Sequence, residues 1–113
     1  MFARRNRLNE NVDILRVLKK GVFFRGKGLN INYIPGSTPH IRCVFIVSRK
    51  VDLRATFRNK LKRKLGFVVE NIIRNKIEKP FDIVVRVKPA MGVVNIVRLV
   101  DEFNDIILKV WKR

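Results

Sequence analysis

Arg54-Ala-Thr-Phe-Arg-Asn-Lys-Leu-Lys-Arg-Lys-Leu65 carries two patterns at once. Phe57, Leu61, Leu65, Val68 and Ile72 recur at spacings of four, four, three and four. At about 100° per residue these positions share one face, which predicts a helix that packs on a core, ending near Asn75. Arg58 and Lys62 fall on one flank, Lys60 and Lys64 on the other, and Asn59 and Arg63 on the back. No acidic residue occurs from Leu53 to Val69, so nothing in the helix neutralises its six basic side chains, Arg54, Arg58, Lys60, Lys62, Arg63 and Lys64. An ordinary solvated helix gains from Glu–Lys pairs four apart. This one forgoes them and accepts like-charge repulsion, which points to a polyanionic partner.

The 113 residues leave room for one domain with one modest core, preceded by a basic arm over residues 1–8 that holds Arg4, Arg5 and Arg7. A hydrophobic content of 47% is enough to fold. The formal charge of +17 and pI near 11.3 concern partners rather than fold. Nucleic acid comes first and an anionic membrane surface second. From Ile14 to Val69 there are 14 Lys/Arg and one acid, Asp52, whereas Glu70 to Arg113 holds nine and six. The basic surface is therefore built by the first two-thirds of the chain. A single cysteine, Cys43, excludes an intramolecular disulfide and a Cys-rich zinc site, and its apolar neighbours predict a buried small hydrophobe. No apolar run approaches the roughly 18 residues of a membrane span, and the N-terminus lacks the apolar stretch of a signal peptide. The expectation is a cytoplasmic protein without a membrane partner.

Outward from the basic stretch, Val12 to Lys20 reads as a short helix capped by Asn9 or Asn11, with Asp13 in its first turn, Lys19 and Lys20 in its last and Gly21 beyond. Val22 to Arg25 is a short strand, and Gly26-Lys-Gly28 a turn. Leu29 to Ile34 alternates, with Leu29, Ile31 and Tyr33 on one face and Asn30 and Asn32 on the other. Pro35-Gly-Ser-Thr-Pro39 is a loop, and Ile41 to Val47 a buried strand. Two hairpin-like connections suggest an antiparallel meander. Asp52 or Thr56 caps the basic helix, inside which Gly66 costs about 1 kcal/mol relative to Ala; a close packing contact would explain it. Lys79-Pro80 closes the next connection, Phe81 to Val87 is a strand, and Pro89 stops it. Asn95 caps a last helix whose stripe runs through Ile96, Leu99, Val100, Phe103, Ile106, Ile107, Val110 and Trp111. The order α-β-β-β-α-β-α predicts an α+β sandwich with a parallel β-α-β crossover.

With the elements placed, the chain resembles the protein subunit of bacterial ribonuclease P. Arg5-Asn-Arg-Leu8 is similar to the family's N-terminal Arg-Asn-Arg-Leu, and Asp13 to Gly21 to its first helix. Phe45-Ile-Val-Ser-Arg-Lys-Val51 resembles the central strand ending in Ser-Lys-Lys-Val. Arg58-Asn-Lys-Leu-Lys-Arg63 resembles the signature Arg-Asn-Arg-x-Lys-Arg, and Phe81-Asp-Ile-Val-Val85 the later strand, Tyr-Asp-Ile-Val. The chain departs from the pattern at Lys60, at Ile14 and Leu18 where phenylalanines are common, at Gly66 where an arginine is common, and in a longer link before the signature. The resemblance implies a mixed four-stranded sheet with a left-handed β-α-β crossover, although general connections are right-handed. It implies a non-catalytic partner of a large catalytic RNA that removes the 5′ leader of precursor tRNA. Mg2+ would enter through that RNA, the protein itself holding neither metal nor cofactor. The leader would lie in a cleft between the central sheet and the first helix.

The RNA-binding candidates are Arg58, Asn59, Lys60, Lys62, Arg63, Arg49, Lys50, Arg54, Arg5 and Arg7, since each cation that neutralises a phosphate releases counterions and arginine adds planar donors. The leader-cleft candidates are Ile14, Leu18, Phe24 and Tyr33 as apolar contacts, with Lys20 and Arg25 nearby. Catalysis by the protein alone has little support: His40 is the single histidine, in a loop, and Asp101, Glu102 and Asp105 have the spacing of a helix's solvent face. The alternatives are a structural RNA-binding protein of ribosomal type, then a dimeric DNA-binding regulator, then a stand-alone nuclease. The apolar stripes are all needed for one core, so a monomer outside the complex is expected.

Overall fold

Among the described residues seven elements form in the order that the hydrophobic patterning predicts: α1 (Asn11–Lys20), β1 (Val22–Arg25), β2 (Leu29–Pro35), β3 (Arg42–Ile46), α2 (Ala55–Arg74), β4 (Phe81–Val87) and α3 (Ile96–Trp111). The computed structural model describes residues 6–51, 53–74, 80–88 and 96–111, without the side chains of 69, 72–74, 96 and 110–111. Asp52, Lys79, Pro89 and Asn95, and the side chains of Ile72, Ile96, Val110 and Trp111, thus lie outside the described residues.

The strands form one sheet in the order β1-β2-β4-β3. β1 and β2 are the expected hairpin, closed by Gly26 N–H donating to the Leu29 carbonyl at 2.8 Å. The expected meander stops there. β4 enters between β2 and β3, antiparallel to the first and parallel to the second. The reason is burial: Asp82, Ile83, Val84 and Val85 are all fully buried, so β4 needs cover on both faces and a strand on each side. The loop from Gly36 has the length of a hairpin connection, but it runs past the start of β4, where Gly36 N–H donates to the Pro80 carbonyl at 2.9 Å. β3 and β4 being parallel, α2 is the crossover between them.

Alternation along the strands then makes two cores. Leu29, Ile31, Cys43, Phe45, Ile83 and Val85 meet α2 and α3 through Leu61, Leu65, Leu99, Phe103, Ile106 and Ile107. The Phe103 ring meets Phe45 edge-on, with centroids 5.6 Å apart. The opposite face carries a smaller cluster of Leu8, Val17 and Val84, with Ile14, Leu18, Ile34 and Val44 packed around it, and α1 covers it. Cys43 is buried as predicted, and burial pushes its thiol pKa up, so it stays an uncharged thiol.

α1 buries only Val17 fully, and ion pairs add to its hold on the sheet. Asp82 has no exposed surface and lies in β4 beneath it. Arg42 grips this carboxylate with both ends of its guanidinium, Nε to Oδ1 at 2.9 Å and Nη2 to Oδ2 at 2.7 Å. Arg16 of α1 donates to the same Oδ2 at 2.7 Å. Asp13 completes the set, 3.3 Å from Arg42 and 3.6 Å from Arg16. Two cations and two anions neutralise one another there. Hydrogen bonding to Asp82 raises the Arg42 pKa, outweighing burial, which lowers it. A raised cation pKa gives stability that is complete below the ordinary arginine value and lost only above the folded one. Arg42 therefore contributes no pH dependence at neutral pH.

Several local expectations change. The α1 N-cap is Glu10 in extended conformation, without a side-chain cap bond, so neither Asn9 nor Asn11 serves. Thr56 is the second residue of α2, and the first helical bond runs from Arg58 N–H to the Arg54 carbonyl at 3.1 Å. Gly21 is extended rather than left-handed; glycine is required there because a Cβ would come within 2.7 Å of the Tyr33 carbonyl oxygen. Glu102 does not face solvent: both carboxylate oxygens accept from Gly28 N–H at 3.0 Å, tying α3 to the β1–β2 turn. Phe57 is only half-buried, with the Arg54 guanidinium 5.2 Å above its ring.

Two stability predictions follow from this packing. Leu61→Ala should cost about 2 to 5 kcal/mol in denaturant unfolding and Phe57→Ala clearly less, because only Leu61 is fully enclosed; equal losses would mean that α2 is turned differently. Asp82→Ala should cost about 3 to 5 kcal/mol by leaving two guanidinium groups without their shared anion; a native-like midpoint would show that α1 docks without the ion pairs.

Candidate nucleic-acid interface

The basic face of α2 follows from the core on its other side. With Leu61 and Leu65 buried against the sheet and α3, helical geometry turns Asn59, Lys60, Lys62, Arg63 and Lys64 outward, and all five are exposed. Arg58 is half-buried, and its Nη1 donates to the Leu53 carbonyl at 3.0 Å. It therefore shapes the helix start as well as carrying charge. Arg49 and Lys50 are exposed in the turn after β3, which Val51 N–H closes on the Ser48 carbonyl at 3.0 Å.

The amino-terminal segment is docked rather than loose over residues 6–8. Asn6 is buried and donates from Nδ2 to the Ile41 carbonyl at 2.8 Å. Leu8 N–H donates to the Cys43 carbonyl at 3.1 Å, and Arg7 pairs with Cys43 as a parallel bridge. This covers the free edge of β3, a position that otherwise invites pairing with other chains. It also fixes an exposed Arg7 beside α2. Arg5 lies outside the described residues.

Between that segment and α2 runs a groove of about 790 Å³. Thr56, Asn59, Lys62, Arg63 and Gly66 line it from α2, Arg7, Leu8 and Asn9 from the segment, and Ile14 from α1. Cys43, Val44 and Phe45 of β3 form its floor. No lining residue is acidic. The structure thus gathers Arg7, Ile14, Asn59, Lys62 and Arg63, which the sequence reading had divided between two sites.

The cleft candidates separate. Strand register sets Val22 and Phe24 opposite Tyr33 and Ile31, on the α2/α3 side. Phe24 and Tyr33 pack against the main core there, away from α1. Ile14 and Leu18 are half-buried on the smaller core, while Lys20 and Arg25 are exposed. The α1 side of the sheet instead carries a strip that sequence reasoning missed. Arg25, Asn30, Arg86 and Ile46 stand in register across all four strands. Arg86 donates from Nη2 to Asn32 Oδ1 at 3.1 Å, and Phe23, opposite Asn32, is 47% exposed. Asn30 Oδ1 and Arg86 Nε are buried there without a protein partner. The alternation of β2 contained the signal, because residues opposite in an antiparallel pair share a face. Counting back across the hairpin puts Phe23 and Arg25 with the asparagines.

Among the described residues no three His, Cys, Asp or Glu side chains group as a metal site, and no helix is long and apolar enough to cross a membrane.

The arrangement is matched among known proteins. A family model described as Ribonuclease P matches residues 2–111. The ribonuclease P protein component of Pseudanabaena sp. (strain PCC 6903) is 29% identical over 110 residues, covering 96% of this chain and 94% of the relative. The Thermotoga maritima RNase P protein superposes with a TM-score of 0.72 at 26% identity, covering 95% of this chain and 96% of that one. The Staphylococcus aureus RNase P protein, at 22% identity, shares the fold with a TM-score of 0.78 over 93% and 94% of the two chains. With the match spanning almost every residue from the arm to the end of α3, the chain belongs to the ribonuclease P protein family, the protein components of the ribonucleoprotein that processes tRNA at its 5′ end.

Proposed function

We propose that this chain binds the catalytic RNA through α2 and the docked amino-terminal segment, and the single-stranded leader of precursor tRNA across the open strip of its sheet. The observation that carries the reading is the acid-free basic groove: Lys62 and Arg63 are exposed on one helix with Arg7 held across from them, and Lys60 and Lys64 are exposed on the same helix. Arg58, Arg54, Arg49 and Lys50 extend this surface around the start of α2, and Arg5 would lengthen it at the N-terminus. Phosphates on such a surface displace condensed counterions, so affinity falls with salt. A structural RNA-binding role of ribosomal type is not favoured by the family match.

Phe23 offers an exposed ring for a base, Arg25 a cation for its phosphate, and the partly exposed Asn30 and Arg86 polar groups for edges or riboses, with the buried Asn32 holding Arg86 in place. Ile14, Leu18 and Lys20 border this region from α1. The chemistry of phosphodiester hydrolysis resides in the RNA, with Mg2+ supplied there. The protein's part is to hold two RNA segments in one orientation, which lowers the metal concentration needed to screen them. We place the complex in the cytoplasm and the free chain as a monomer, in keeping with apolar helix faces used in its own core.

Lys62→Ala combined with Arg63→Ala should leave the melting temperature unchanged and reduce the slope of log affinity against log salt, for the catalytic RNA, by on the order of 1 to 2. An unchanged affinity and slope would remove this face from the RNA interface.

A further inference from the structure

We infer that the groove between α2 and the amino-terminal segment receives one unstacked nucleotide of the catalytic RNA, its base against β3 and its phosphates on the rim. The inference rests on the RNA-binding reading above and specifies what that surface recognises. It begins from Gly66, an unfavourable residue in the middle of a 20-residue helix. Gly66 is buried and lines the groove with Asn59, Lys62 and Arg63, which sit seven, four and three positions before it on the same side of α2. A side chain at that position would project along this stripe into the space between α2 and β3. Its absence leaves room along the edge of β3, beside Cys43, Val44 and Phe45.

The chemistry of the walls selects the occupant. The floor is apolar, the rim carries Arg7, Lys62 and Arg63, and Asn9 and Asn59 supply amides. A nucleotide has the same division: a flat base with apolar faces and polar edges, joined to an anionic backbone. The volume, about 790 Å³, falls within the range of small-molecule sites, on the order of 300 to 1,000 Å³. Paired bases in a helical stem keep their faces stacked and cannot offer one to the floor, so the nucleotide is unpaired. It belongs to the catalytic RNA rather than to the leader because the rim is continuous with the exposed cations of α2, while the open strip lies on the α1 side of the sheet.

Gly66→Leu fills the groove from the helix, and Asn9→Leu, at an exposed position, narrows it from the opposite wall without touching the core. Both are titrated with the catalytic RNA alone over a range of salt, and unpaired bases are probed by base-specific modification. The expected result is an affinity about tenfold weaker in each, on the scale of one lost base contact, with an unchanged salt slope because all rim cations remain. One base protected by the wild type should become reactive again. Unchanged affinity and protection overturn the proposal. So does a loss confined to leader-bearing precursor tRNA, which would make the leader the occupant. If Gly66→Leu melts early, Asn9→Leu decides alone. A wild type that fails to bind the RNA overturns the underlying reading instead.

Discussion

β4 is the last strand among the described residues and an inner strand of the sheet, and the fold depends on burying it from both sides. Its alternate residues supply Ile83 and Val85 to the α2/α3 core and Asp82 and Val84 to the α1 side. Pairing it parallel to β3 requires a crossover, and α2 is that crossover. The helix with the greatest density of positive charge is thereby clamped along its apolar face, with its cations turned outward. Asp82, in the same strand, anchors α1 through Arg16 and Arg42. One strand thus positions both helices that border the candidate RNA surfaces.

Charge is distributed accordingly. Acids within the described core region are committed: Asp82 and Asp13 to the arginines under α1, Glu102 to the β1–β2 turn. Each neutralises a local polar need and leaves the groove, with Asn59, Lys62 and Arg63 of α2 on its wall, free of negative charge, whereas Lys64 shares a pocket with Glu70 and Asp101. The unbound protein accepts repulsion among its exposed cations, which an RNA backbone would relieve. Structural ion pairs and the binding field therefore occupy different regions of one small domain.

Much of this was legible in the residues. Phe81 to Val87 read correctly as a strand, and the spacing of Leu61 and Leu65 oriented α2. The place of β4 was not legible, because strand neighbours depend on long-range burial whereas the proline-flanked loop after β2 looks locally like any short connection. Glu102 was misread because helical spacing puts it beside Asp101 and Asp105, and its partner is a backbone N–H 74 residues away. Phe24 and Tyr33 were drawn to the cleft by residue type alone. Strand register turns them to the main core and leaves Phe23 on the open side. The groove was invisible in sequence because its walls come from four separated segments, although Gly66 marked the place where α2 departs from ordinary helix composition.

The most direct test of the account is cleavage of 5′-labelled precursor tRNA at low magnesium by a bacterial ribonuclease P RNA, with and without this protein, and with the protein alone. The account predicts cleavage at the mature 5′ end that requires the RNA and is strengthened by the protein. Failure of the protein to enhance its cognate RNA, or cleavage by the protein without RNA, would contradict it.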